Sequence, residues 1–266
     1  MGSAGGDAPA AVTLLGCPLD ATSSFRGGTR FAPESIRKAS WTLETYSPYL
    51  KRDLDDVLFY DAGDLELRPG DLEYSLELIR SAAAETVGKG KKILALGGEH
   101  LITYPLAKAV KECVRDVRIV HFDAHCDLRD DYEGQKLSHA TVMKRVKELD
   151  IPEILQVGIR SGTGKEFEEA VLVESPASLA ARLSGEAPVY VSFDMDVFDP
   201  SLAAGVTTPE PGGLTFREVI DYLAVFKGRR LIGADIVELS PDYDATFVSS
   251  IAAAKVAREM LMLLHG

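Results

Sequence analysis

Short apolar, β-branched runs alternate with longer stretches of helical periodicity along nearly the whole chain. Strands are predicted at "VTLLG" near residue 12, "VLFYDAG" near 57, "KILALGG" near 92 and "VRIVHFD" near 117. Four more are predicted at "ILQVGIR" near 154, "VLVES" near 171, "VYVSFDMD" near 189 and "LIGADIVEL" near 231. Amphipathic segments lie between them. In "DLEYSLELIRSAAAETVGKG", Leu72, Leu76, Ile79, Ala83 and Val87 recur at helical spacing, with Asp71 as N-cap and Gly88 or Gly90 as stop. "TFRE" at 215–218 reads as a capping box, and the mostly apolar 245–266 as a closing helix. Such alternation predicts an α/β fold, a mostly parallel sheet with helices on both faces. No repeat or linker interrupts it, so residues 12–266 are expected to form one domain, after a disordered small-residue segment at 1–11.

Charge narrows the partners. A formal net charge of −12 disfavours nucleic acid and anionic membrane, and no apolar run is long enough to span a bilayer. Three scattered cysteines suit a reducing compartment, so a cytoplasmic location is expected.

In parallel α/β sheets, ligands bind beyond the carboxyl ends of the strands. Here those ends carry "GGEH", "DAHCD", "GIRSG", "DMDVFDP" and "VELSP", which points to one site built from several loops. Asp123, His125 and Asp127 are spaced by two, as are Asp194 and Asp196, and an extended backbone would turn each set to one side. Four aspartates together carry about −4 and repel one another. Two divalent cations neutralise them, and His100 completes a six-residue cage. Oxygen-dominated ligation with some imidazole suits Mn²⁺ ahead of Zn²⁺ or Mg²⁺. The bland alternative, a solvated acidic turn, explains one such run but poorly explains two with a histidine at the same sheet edge.

The ordered set "GGEH", "DAHCDLR", "SHA", "SFDMDVFDP" and "DIVELSP" resembles the ureohydrolases, the family of arginase and agmatinase, from about residue 12 to 264. The resemblance implies a three-layer α/β/α sandwich with an eight-stranded mostly parallel sheet. It implies one Mn²⁺ on His100, Asp123, Asp127 and Asp194, and a second on Asp123, His125, Asp194 and Asp196, with Asp123 and Asp194 bridging. The pair lowers the pKa of a shared water from about 15.7 towards neutrality, and the resulting nucleophile attacks a guanidinium carbon to release urea and an amine. His139 of "SHA" matches the proton-shuttle histidine, and Glu238 of "VELSP" the glutamate that grips the guanidinium. The alternative for His139 is a surface histidine at a helix start. A homo-oligomer, trimer or hexamer, is also implied.

His121 is read as a hydrogen-bonded neighbour of the cage, and Asp199 and Asp130 as supporting or turn residues. Ala32 and Thr207 stand where the family commonly has glycine. Agmatine is the expected substrate, with aminopropyl-agmatine, arginine and guanidinobutyrate as alternatives. "GIRSG" has Ser161 where arginases usually carry an acidic residue, and Asp130, Asp131, Glu133 and Glu210 are candidates to attract a distal ammonium. A single-zinc deacetylase-type hydrolase of the same fold is a rival, disfavoured by the full six-ligand set. A non-catalytic relative is another, disfavoured because ligands and shuttle are all present.

Overall fold

Each of the eight apolar runs forms a strand in the computed structural model, which describes residues 10–266. In chain order the elements are β1 (Val12–Cys17), α1 (Ala32–Ser40), a short antiparallel pair β2 (Tyr46–Ser47) and β3 (Arg52–Asp53), β4 (Phe59–Asp64), α2 (Leu72–Gly88), β5 (Lys92–Gly97) and α3 (Thr103–Cys113). There follow β6 (Arg118–Phe122), α4 (Val142–Lys147), β7 (Ile154–Val157), α5 (Gly164–Glu169), β8 (Leu172–Val173) and α6 (Pro176–Arg182). The chain then runs through β9 (Val189–Asp194), α7 (Phe216–Leu223), β10 (Leu231–Val237) and α8 (Val248–His265). The disordered segment expected at 1–11 lies mostly outside the described residues; within it, Ala10 is buried and the Ala11 carbonyl accepts from the Lys92 N–H.

The main sheet has the order β4-β1-β5-β10-β9-β6-β7-β8, and every neighbouring pair is parallel. Alternating strand residues feed two apolar cores, one on each face. Leu94, Leu96, Val120, Phe122, Val191 and Phe193 pack with α1, α6, α7 and α8. Ile93, Ala95, Ile119, Ile154 and Tyr190 pack with α2, α3 and α4. This is the three-layer sandwich that period-two burial on both faces requires.

The register positions the site. Phe122 pairs with Phe193, Asp194 with Val237, and Ile236 with Leu96, so β5, β10, β9 and β6 end at one level. The last two strands in sequence, β9 and β10, fill the gap between β5 and β6. That topology gathers residues from far apart in the chain at one carboxyl edge.

The loop after β1 lies directly on the end of β5. Glycine is required there: a Cβ at Gly98 would sit 1.9 Å from the Leu19 carbonyl oxygen and 2.5 Å from its nitrogen. Backbone atoms on both sides cannot yield by changing a rotamer. We expect Gly98→Ala to cost about 3 kcal/mol and to lower the melting temperature by roughly 10 °C, read by circular dichroism. An unchanged transition would mean that the loop can lift away freely.

Candidate metal centre and active site

Asp123 and Asp194 follow directly on paired phenylalanines of β6 and β9, which sets them side by side at the sheet edge. The expected extended backbone does not continue past them. β6 ends at Phe122, Asp127 adopts a left-handed conformation at φ 54°, and Met195–Val197 is a 3₁₀ turn. Convergence comes instead from two matching local turns. The His125 N–H donates to Asp123 Oδ1 at 2.5 Å, and the Asp196 N–H to Asp194 Oδ1 at 2.8 Å. Short acidic side chains favour such i→i+2 bonds.

The turns bring all six cage residues together. His100 Nδ1 lies 3.0 Å from Asp123 Oδ2, 3.0 Å from Asp194 Oδ2 and 3.3 Å from Asp127 Oδ2. His125 Nδ1 lies 2.9 Å from Asp196 Oδ2 and 3.3 Å from Asp123 Oδ1. Asp123 therefore offers one oxygen to each of two clusters. The five residues His100, Asp123, Asp127, Asp194 and Asp196 are buried, and His125 is partly exposed.

The donor set fits a pair of cations. His100 Nδ1 and Asp196 Oδ2 are buried and make no hydrogen bond. Burial pushes the pKa of Asp194 well up, reinforced by the charges of Asp196 and Asp123; burial likewise raises Asp196. Burial also acts to raise Asp123, but the histidines beside it, His121 first and then His100 and His125, hold its pKa well below the usual range. Burial works against a charged His100, yet its three carboxylates raise its pKa well above normal. The centre demands positive charge at Nδ1, supplied by a proton or by a metal ion.

Supporting residues orient the ligands. Ser192 Oγ donates to Asp235 Oδ1 at 2.8 Å, which leaves it to accept from His100 Nε2 at 3.0 Å and keeps the Nδ1 lone pair for the cage. Asp235 is fully buried and is also bound by Thr103 and Tyr190. His121 is the hydrogen-bonded neighbour expected of it. The Gln156 amide donates to its Nδ1 and to the Cys126 carbonyl, each at 2.9 Å, so His121 Nε2 carries a proton for Asp123 Oδ2 at 2.8 Å. His121 thus has no lone pair left for a metal. The Cys126 thiol is buried in the core, and that burial, with Glu166 and Asp127 nearby, pushes its pKa up to about 12.

A cavity of about 220 Å³ opens on this centre and is lined also by His139, Glu238, Ser24, Tyr132, Thr208, Glu166 and Arg129. Glu238 is buried at the end of β10 in a left-handed conformation, φ 64°. It accepts from the His100 N–H and from the Thr207 hydroxyl. Burial pushes its pKa up to about 7, against the lowering effect of His139 and the Thr207 bond; a cation brought against it favours the carboxylate. His139 begins the turn before α4, with Ser138 in the cap position and the Ser138 N–H donating to Thr141 Oγ1 at 3.1 Å. The loop at 201–213, which brings Thr208 to the cavity, is held by Arg160 of "GIRSG", whose guanidinium donates to the carbonyls of Asp196 (2.7 Å) and Glu210 (2.6 Å).

Glu99 carried no signal in the sequence, yet its fully buried carboxylate holds the loop over the cavity. Oε2 accepts from the N–H groups of Ala21 at 2.6 Å and Thr22 at 2.7 Å, and Oε1 from the Thr22 hydroxyl at 2.7 Å. The carboxylates expected at the pocket mouth need correction. Asp130 faces solvent, paired with Lys165 at 2.5 Å and Lys144 at 3.2 Å, and neither Asp131 nor Glu210 lines this cavity or the one beside it. Only Glu133 does so, in an adjoining space of about 600 Å³ that shares Ser24 and Tyr132 with the metal cavity. Asp199 is a turn residue, accepting from the N–H groups of Ser201 and Gly212.

Comparisons with known proteins point to one family. The sequence profile of the arginase family matches residues 10–263. An agmatinase of Bacillus anthracis is 42% identical over 264 residues, covering 94% of this chain and 91% of its own length. A guanidinobutyrase of Pseudomonas aeruginosa is 35% identical over 274 residues, covering 95% and 86%. The crystal structure of an agmatine ureohydrolase of Thermoplasma volcanium superposes with a TM-score of 0.85 at 34% identity, covering 96% of this chain and 89% of that one.

Proposed function

The chain belongs to the arginase family and is a ureohydrolase with a binuclear metal site, and we propose that it hydrolyses agmatine to putrescine and urea. In this reading both metals are Mn²⁺. One is held by His100, Asp123, Asp127 and Asp194, the other by Asp123, His125, Asp194 and Asp196. A bound divalent pair supplies the Lewis acidity that makes water nucleophilic near neutral pH. Glu238 grips the planar guanidinium in a charge-assisted pair and fixes its carbon beside the cage. His139, half-buried at the rim, carries a proton to the departing amine.

The observation that carries the reading is the buried Glu238 carboxyl at the end of β10, the strand between β5 and β9, in the cavity lined by His100, His125, Asp127, Asp194 and Asp196. Preference for an amine tail rests on the agmatinase relatives and on Glu133 in the adjoining space. Arg129 on the cavity wall favours a second reading, a carboxylate-tailed substrate such as guanidinobutyrate, although the Glu166 carboxylate lies 3.6 Å from its Nε and offsets its charge. The deciding experiment measures kcat/KM for agmatine, aminopropyl-agmatine, guanidinobutyrate and arginine at equal Mn²⁺ loading. Agmatine is expected to lead guanidinobutyrate and arginine by about tenfold or more, the worth of one favourable charge contact at the distal end. Guanidinobutyrate as best substrate, with its advantage lost in Arg129→Ala, would establish the second reading. A trimeric or hexameric assembly in the cytoplasm belongs to the same proposal, with sedimentation velocity as its test.

A further inference from the structure

We propose that Glu99, acting through Thr22, fixes His139 in its Nδ1–H tautomer, so that protons enter and leave the ring only at Nε2. The inference rests on the reading of His139 as the proton carrier. Burial favours the neutral form of Glu99, but three donors at 2.6–2.7 Å, the Ala21 and Thr22 N–H groups on Oε2 and the Thr22 hydroxyl on Oε1, favour the carboxylate, which accepts hydrogen bonds and gives none. The single hydroxyl proton of Thr22 is therefore committed to Glu99. What Thr22 presents to His139 is a lone-pair surface, and it already accepts the His139 backbone N–H at 3.0 Å. That same oxygen stands 3.4 Å from His139 Nδ1. An oxygen with no proton to offer stabilises an N–H at that position and repels a second lone pair. Ser138 Oγ, 3.2 Å from Nδ1, is free to rotate and accept as well.

The other nitrogen is in a different setting. His139 Nε2 has as its neighbour Ser24 Oγ at 3.4 Å, on an exposed residue that lines the metal cavity, and this hydroxyl can turn to give or take a proton. A neutral imidazole has one donor and one acceptor. With Nδ1 assigned as donor, Nε2 is the acceptor, on the side where exchange is needed. A proton taken at Nε2 gives the imidazolium, and its release from Nε2 to the departing amine nitrogen restores the starting tautomer. No ring flip is required between turnovers. The Asp235–Ser192–His100 chain has the same wiring, a buried carboxylate acting through a hydroxyl on an imidazole, so the fold uses this device twice.

Glu99 and Thr22 are thus positioning residues. The test is ¹⁵N spectroscopy of the histidine side chains in the full chain loaded with diamagnetic Mg²⁺, with His139 assigned by comparison with His139→Asn, alongside turnover of the Mn²⁺ enzyme. We expect a protonated Nδ1 and a lone-pair Nε2 in the unaltered protein. In Thr22→Val, which keeps the shape and loses the hydroxyl, we expect a mixture of tautomers and a kcat about tenfold lower with KM within twofold. Thr22→Ser should restore both. An Nε2–H tautomer in the unaltered protein overturns the proposal without help from any variant, as does a Thr22→Val spectrum identical to the original. Full turnover in His139→Asn would instead overturn the proton-carrier role on which the proposal rests.

Discussion

Replacing Asp123 by alanine is expected to abolish turnover, by about 10³-fold or more, and to leave fewer than one tightly bound metal per chain instead of two. Asp123 is the residue whose two carboxylate oxygens face different clusters, Oδ2 towards His100 and Oδ1 towards His125. Truncation removes a ligand oxygen from both clusters at once, and neither Asp194 nor Asp196 stands where it could replace both. It also strands the His121 N–H, now paired with Asp123, inside the core. Metal per chain by elemental analysis, with turnover at saturating Mn²⁺, checks this. Asp127→Ala is the useful contrast, because Asp127 faces only the His100 side; one metal should remain. Two tightly bound metals and near-native turnover in Asp123→Ala would refute the binuclear assignment.

For His139→Asn, turnover is expected to fall by about 10²–10⁴-fold while both metals stay bound. The residue contacts Thr22, Ser24 and Ser138 and packs edge-on to Tyr132 with ring centroids 5.5 Å apart, and none of these contacts is to a cage residue. Asparagine keeps some polar contact with the loop but cannot cycle a proton near neutral pH. Imidazole added in solution should partly restore the rate, since the vacated space opens on the cavity. Loss of metal, or no loss of rate, would remove His139 from the chemistry.

The amino-acid order alone set the succession of strands and helices along the chain, because burial on both faces of a parallel strand and on one face of a helix is written in local periodicity. All eight main strands, the Asp71 cap and the Thr215–Glu218 capping box are where the pattern places them. It also determined which residue types collect beyond the strand ends, and so the composition of the cage. Local reasoning went wrong where side-chain hydrogen bonding outweighs extended geometry, at Asp123–Asp127 and Asp194–Asp196, where turns converge the ligands.

The rest depends on contacts between distant segments. The insertion of β9 and β10 between β5 and β6 sets Asp194 and Glu238 beside His100 and Asp123, and no local pattern encodes strand order. Asp235 reads as a stray polar residue in an apolar run until Ser192, from the neighbouring strand, connects it to His100. Glu99 reads as part of "GGEH" until the β1 loop folds onto it. Asp130 reads as a pocket charge until Lys144 and Lys165 hold it towards solvent. A side chain's type is fixed by its codon; whether it orients a ligand, holds a loop or faces water depends on partners that only the packed chain brings within bonding distance.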